Sequence, residues 1–140
     1  MKKTFLLFSL LMISLLAIAQ NPCPRVIPAL QEWKGTKGTL HLPIQGSIII
    51  NPSDETLLAS TAAILKNDLK ELMGWEYTII TGKAKKDGIY LSLSEPDEQL
   101  GKEGYELSIL NKASIQAPTA QGVFWGTRTL LQMLYRQDAK

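Results

Sequence analysis

The chain has 140 residues, with 15 Lys and Arg against 13 Asp and Glu, one histidine and one cysteine. That near-neutral balance gives no basis for a nucleic-acid or anionic-lipid partner. One cysteine with one histidine supplies neither an internal disulfide nor a four-ligand zinc site, so a domain of this length must be held by packing.

The first residues read as a secretory signal. Lys2 and Lys3 form a positive start, Phe5 to Ile18 is an apolar run, and Ala17-Ile18-Ala19 offers the small residues a peptidase needs, with cleavage expected between Ala19 and Gln20. A membrane span needs about 20 apolar residues, which makes an anchor the weaker reading. Residues 1–19 are thus a signal peptide and residues 20–140 one mature domain, exported to a periplasmic or extracellular location with no membrane attachment afterwards. Removal of Lys2 and Lys3 leaves basic and acidic residues in balance. Cys23 raises the question of a lipid-modified N-terminus, but Gln20-Asn21-Pro22 before it is not the small-residue run such processing uses.

Pro22, Pro24 and Pro28 keep the next stretch extended. A turn at Gly35 and Gly38 leads to a strand in which Leu40 and Leu42 alternate with Thr39 and an outward His41. A second, two-sided strand follows at Ser47-Ile48-Ile49-Ile50. Ser53 or Asp54 caps a helix whose Leu57, Leu58, Ala62, Leu65, Leu69, Leu72 and Met73 recur at three- and four-residue spacing, and Gly74 ends it. Strands are expected at Glu76 to Ile80 and Ile89 to Leu93, around a polar loop whose Lys83, Lys85 and Lys86 are solvated. After the acidic Ser94 to Gly104 stretch, Tyr105 to Leu110 and Ala113 to Ala117 form a hairpin about Asn111-Lys112. Short links between the later strands favour antiparallel pairing. The expectation is an α+β fold: an antiparallel sheet of about six strands with two helices on one face.

The last helix starts after Pro118 with Thr119 as cap. At about 100° per residue, Ala120, Val123, Phe124, Leu130, Leu131 and Leu134 gather on the side facing the sheet. A second apolar side holds Gly122, Trp125, Gly126, Thr129 and Met133, and Gln121, Arg128 and Gln132 leave only a narrow polar edge. A helix apolar on both sides is covered on both. Each internal glycine costs about 1 kcal/mol against alanine, which makes sense where something approaches the backbone closely. That neighbour is either a strand or side chain of the same domain, or a second body.

Tyr105-Glu106-Leu107, Ile115-Gln116-Ala117, Gly122-Val123-Phe124-Trp125-Gly126 and Thr129-Leu130-Leu131-Gln132, with Val26-Ile27-Pro28 opening the domain, resemble the N-terminal domain that precedes the catalytic barrel in family 20 glycoside hydrolases, the β-N-acetylhexosaminidases. The resemblance runs from Val26 to Leu134. It implies an α+β accessory domain and makes the second body the absent barrel, docked on Gly122, Trp125, Gly126, Thr129 and Met133. It also implies substrate-assisted cleavage of terminal N-acetylhexosamines, in which a glutamic acid protonates the leaving oxygen and an adjacent aspartate orients the 2-acetamido group. Both stand in a His-x-Gly-Gly-Asp-Glu motif on the barrel. Neither Asp54-Glu55, at a helix start, nor Asp97-Glu98, after Glu95-Pro96, has that context. No catalytic residue, cofactor or metal ligand is therefore expected here, and the chain alone is expected to be inactive. The alternative is a freestanding secreted glycan-binding module, for which Trp33 is the best-placed of Trp33, Trp75 and Trp125 to stack on a sugar.

Overall fold

The computed structural model describes residues 20–138, so the signal reading of residues 1–19, including Ala19, lies outside them. Two compact units divide the chain. The smaller comprises Gln20 to Cys23 with Gln31 to Gly38. Its Asn21 donates from the backbone to the Thr36 carbonyl at 2.9 Å and from Nδ2 to that of Gly38 at 2.7 Å.

The larger unit takes Pro24 to Leu30 and everything from Thr39 on. Its elements are β1 (Gln45–Ile50), a 3-10 turn (Pro52–Asp54), α1 (Glu55–Met73), β2 (Glu76–Thr81), β3 (Ile89–Leu93), β4 (Glu106–Ile109), β5 (Ala113–Ala117) and α2 (Ala120–Asp138). The five strands lie in the order β2-β1-β3-β5-β4. β1 pairs in parallel with β2 and β3, β3 pairs in parallel with β5, and only β4 and β5 are antiparallel. Both helices pack on each other and on the sheet.

The sheet is thus mixed and five-stranded, not antiparallel with about six strands. Two physical reasons account for the difference. First, α1 carries the chain back to the starting edge, which forces β1 and β2 to run the same way. The short link from β2 to β3 is not a hairpin, because β1 lies between them. Ile50 sits opposite Thr81 but Ile89 sits opposite Ile48, so the chain returns only about two strand residues, roughly 7 Å, before re-entering the sheet. Second, the expected strand around Leu40 and Leu42 forms no ladder. Those leucines are partly buried against the core, while the Glu76 N–H donates to the Ile44 carbonyl and the Tyr77 hydroxyl to that of Pro43.

The core lies between sheet and helices. Ile48 and Ile50 from β1, Ile89 and Leu91 from β3, and Ala113, Ile115 and Ala117 from β5 meet Leu58, Leu65 and Leu69 of α1 and Val123 and Leu130 of α2. Burial of each large aliphatic among them is worth about 1.5–3 kcal/mol. The α1 stripe is narrower than its periodicity suggests: Leu57 and Leu72 stay exposed, because only a single arc of the helix reaches the sheet. Gly74 takes the left-handed conformation at φ 69° and its N–H caps the Lys70 carbonyl at 2.9 Å, so the C-terminal stop falls where expected.

Candidate functional site: carboxylates, helix faces and the outer helix layer

Of the two Asp-Glu pairs, both aspartates accept structural hydrogen bonds. Asp54 is buried, yet it does not cap α1. Its Oδ2 accepts from the Leu93 N–H at 2.9 Å and from Asn51 Nδ2 at 2.8 Å, and its Oδ1 accepts from Ser53 Oγ at 3.2 Å, tying the entry of α1 to the end of β3. Burial alone would raise its pKa; the hydrogen bonds from Leu93, Asn51 and Ser53 outweigh that and hold it below the ordinary carboxylate value. Burial and the nearby Asp54 charge together push the Tyr90 phenol up. Asp97 and Glu98 lie on an open groove of about 350 Å³ with Glu95, Glu106 and Gln116. Asp97 Oδ1 accepts from the Gln99 N–H at 2.8 Å, as a turn carboxylate does. The Asp-Glu pairs thus belong to a strand–helix junction and to an acidic turn. Among the described residues no group of three or more His, Cys, Asp or Glu side chains is arranged to hold a metal ion, and no helix is long and apolar enough to cross a membrane.

Of the three tryptophans, Trp33 belongs to the smaller unit and gives its indole N–H to the Asn21 carbonyl at 3.1 Å. Trp75 stacks on Tyr77 with ring centroids 6.2 Å apart and packs against the core. Trp125 is 41 % exposed on α2.

Thr119 caps α2 as expected, accepting the Gly122 N–H at 3.0 Å. The five residues of the second apolar side then separate. A Cβ on Gly122 would lie 2.4 Å from the Gly104 carbonyl oxygen, and one on Gly126 would lie 2.4 Å from Ile115 Cγ2 and 3.1 Å from the Tyr105 ring. Thr129 is 3 % exposed and shares a 2.5 Å hydrogen bond with the Tyr105 hydroxyl. These three positions are filled from within the domain, by the segment entering β4 and by β5. Met133 is half-buried, and Trp125 faces solvent.

The outward side of α2 carries a different set. Arg128 donates to Asp68 of α1 at 2.5 Å and lies over the Phe124 ring at 4.9 Å, bridging the two helices. One turn further on, the Gln132 amide grips the backbone of Ile27: its Oε1 accepts the Ile27 N–H at 2.9 Å and its Nε2 donates to the Ile27 carbonyl at 2.8 Å. The two residues are 105 positions apart. Gln132 and Arg128 read in the sequence as the polar edge of a helix, and nothing in one sequence links them to Ile27 or Asp68. The residue types offered the only signal, since a bidentate amide or guanidinium on an otherwise apolar helix has to find partners.

The larger unit is thus a two-helix layer on a small mixed sheet, with Asp54 hydrogen-bonded into the junction between α1 and β3. The chain belongs to glycosyl hydrolase family 20, domain 2, whose family model matches residues 23–140. It is 32% identical over 113 residues to the lacto-N-biosidase of Bifidobacterium bifidum, a match covering 79% of this chain and 10% of that protein. Among solved structures it resembles the family 20 β-N-acetylhexosaminidase of Streptomyces coelicolor A3(2), with TM-score 0.60, 27% identity and coverage of 82% of this chain and 22% of that one. A mutant Streptomyces plicatus β-hexosaminidase in complex with its product GlcNAc matches with TM-score 0.58, 25% identity and coverage of 83% and 22%. The chain therefore spans about a tenth to a fifth of the length of these relatives.

Proposed function

We propose that this chain is the N-terminal accessory domain of an exported β-N-acetylhexosaminidase, and that hydrolysis of terminal N-acetylhexosamine residues belongs to a catalytic barrel elsewhere in a longer polypeptide. The single observation that carries the reading is the family match over residues 23–140, set against relatives several times longer. The chemistry agrees with it. A family 20 acid needs a raised pKa inside an apolar sugar pocket, whereas Asp54 is held low by structural hydrogen bonds and Asp97 and Glu98 are exposed on a loop. A signal peptide over residues 1–19, with cleavage between Ala19 and Gln20, directs the parent to the periplasm or out of the cell, where glycans are met.

The test is direct. Purified residues 20–140 incubated with an aryl N-acetyl-β-glucosaminide release no chromophore, while the polypeptide read from the gene through codon 140 and beyond does. Turnover by residues 20–140 that is lost on changing Asp97 or Glu98 sinks the reading.

A further inference from the structure

The smaller unit is built around one residue. Asn21 is held on three sides by the segment from Trp33 to Gly38: its N–H donates to the Thr36 carbonyl, its Nδ2 donates to that of Gly38, and its own carbonyl accepts the Trp33 indole N–H. Two glycines make the fit. A Cβ on Gly35 would run into the Asn21 carbonyl oxygen, and Gly38 takes φ 88°, a conformation that side chains disfavour. This clip fixes the backbone at the second residue after the expected cleavage point, and Gln20 stands exposed ahead of it.

We propose, resting on the signal-peptide part of the reading above, that Gln20 is a modification site: once its bond to Ala19 is cut, it closes on itself to pyroglutamate. All the reacting atoms belong to Gln20. The freed α-amino nitrogen, whose ordinary pKa of about 7.7–8.0 leaves much of it neutral near physiological pH, attacks Cδ of the side-chain carboxamide. The N–Cδ bond forms, the Cδ–Nε2 bond breaks, and Nε2 leaves as ammonia with the proton that the amine gives up. No oxidant or reductant takes part. The attack is intramolecular and closes an unstrained five-membered ring, so it has the high effective concentration of tethered groups. The fold permits it. The ring contains no atom of Asn21, and the N–H that Thr36 accepts lies outside it, so the clip stays shut while the ring forms. Exposure leaves the Gln20 side chain room to fold back on its own nitrogen. The product loses the terminal positive charge and offers aminopeptidases no free amine, while the bond behind it is guarded by the clamped Asn21.

The experiment expresses the gene with its own residues 1–19 in an exporting host. The N-terminus is then read by Edman sequencing of the undigested protein and by the mass of its tryptic peptide Gln20 to Arg25. The expected protein gives no Edman signal, its peptide is lighter by one ammonia, and pyroglutamyl aminopeptidase makes it readable from Asn21. Gln20→Asn stays Edman-readable, because asparagine would have to close a strained four-membered ring. Gly35→Ala, which breaks the clip, keeps the blocked terminus but yields it to the aminopeptidase about tenfold faster under native conditions. A protein that starts at Gln20 and remains Edman-readable overturns the proposal and leaves the signal reading standing. One that retains residues 1–19, or starts at Cys23, overturns the proposal together with the expected cleavage. Equal digestion of the parent and Gly35→Ala removes the guarding role given to the clip.

Discussion

Alanine at Gly126 sets two effects against each other. In an isolated helix the change gains about 1 kcal/mol, because alanine loses less backbone entropy than glycine. In this domain the new Cβ lands 2.4 Å from Ile115 Cγ2 and 3.1 Å from the Tyr105 ring. Ile115 is fully buried in the middle of β5, and Tyr105 is fixed through its hydroxyl to Thr129, so neither gives way cheaply. Overpacking of a tight core costs about 1–3 kcal/mol, and contact at this distance belongs at the upper end. The net expectation is destabilisation by about 1–2 kcal/mol, or roughly 4–8 °C in Tm for a domain of this size. Gly122→Ala is expected to lose more, since its Cβ would meet the Gly104 carbonyl oxygen, a backbone atom, at 2.4 Å. Gly82→Ala, with open space around its Cβ, is the control and should be neutral or stabilised by about 0.5 kcal/mol. Thermal and urea denaturation of residues 20–140 measure all three. A Gly126→Ala protein that melts higher than the parent would show that this side of α2 is open in the isolated domain, and the assignment of Gly126 to internal packing would fall.

Asp54→Asn removes the charge from three hydrogen bonds at the α1–β3 junction and should cost about 1.5–3 kcal/mol near neutral pH by urea denaturation. Because the folded-state pKa of Asp54 lies below its unfolded value, its contribution is present above the unfolded pKa and fades as pH falls through the folded one; the Asp54→Asn variant should lose that part of the acid limb. At the alkaline end the sign reverses: burial holds the Tyr77 phenol at about 12, so the unfolded chain ionises first and stability should fall by up to about 1.4 kcal/mol per pH unit above pH 10, a slope that Tyr77→Phe flattens. Gly46→Ala drives a Cβ to 2.7 Å from the Tyr77 ring and should cost about 1–3 kcal/mol, with a co-substitution to Leu at Tyr77 restoring part of it. Trp125→Ser should change stability by less than about 1 kcal/mol while raising the solubility of residues 20–140; a loss above about 2 kcal/mol would place that indole in the core.

Local chemistry made several elements readable from the chain alone. The Gly74 stop, the Thr119 cap, the hairpin about Asn111-Lys112 and the core stripe of Leu58, Ala62, Leu65 and Leu69 each follow from forces acting within a few residues. The family motifs between Tyr105 and Gln132 were legible for the same reason, being contiguous. Strand direction was not, because it depends on which strands become neighbours, and the link from β2 to β3 looks like a hairpin until β1 is seen between them. Nor could the sequence tell which side of α2 the domain would cover. Glycine spacing shows that something approaches closely; only the packed structure shows that Gly104, Tyr105 and Ile115 do so. The grip of Gln132 on Ile27 and of Arg128 on Asp68 belongs to the same class. Periodicity reports how a segment divides its own faces, whereas long-range partners are chosen by the competition of all segments for one core, and that choice exists only in the folded chain.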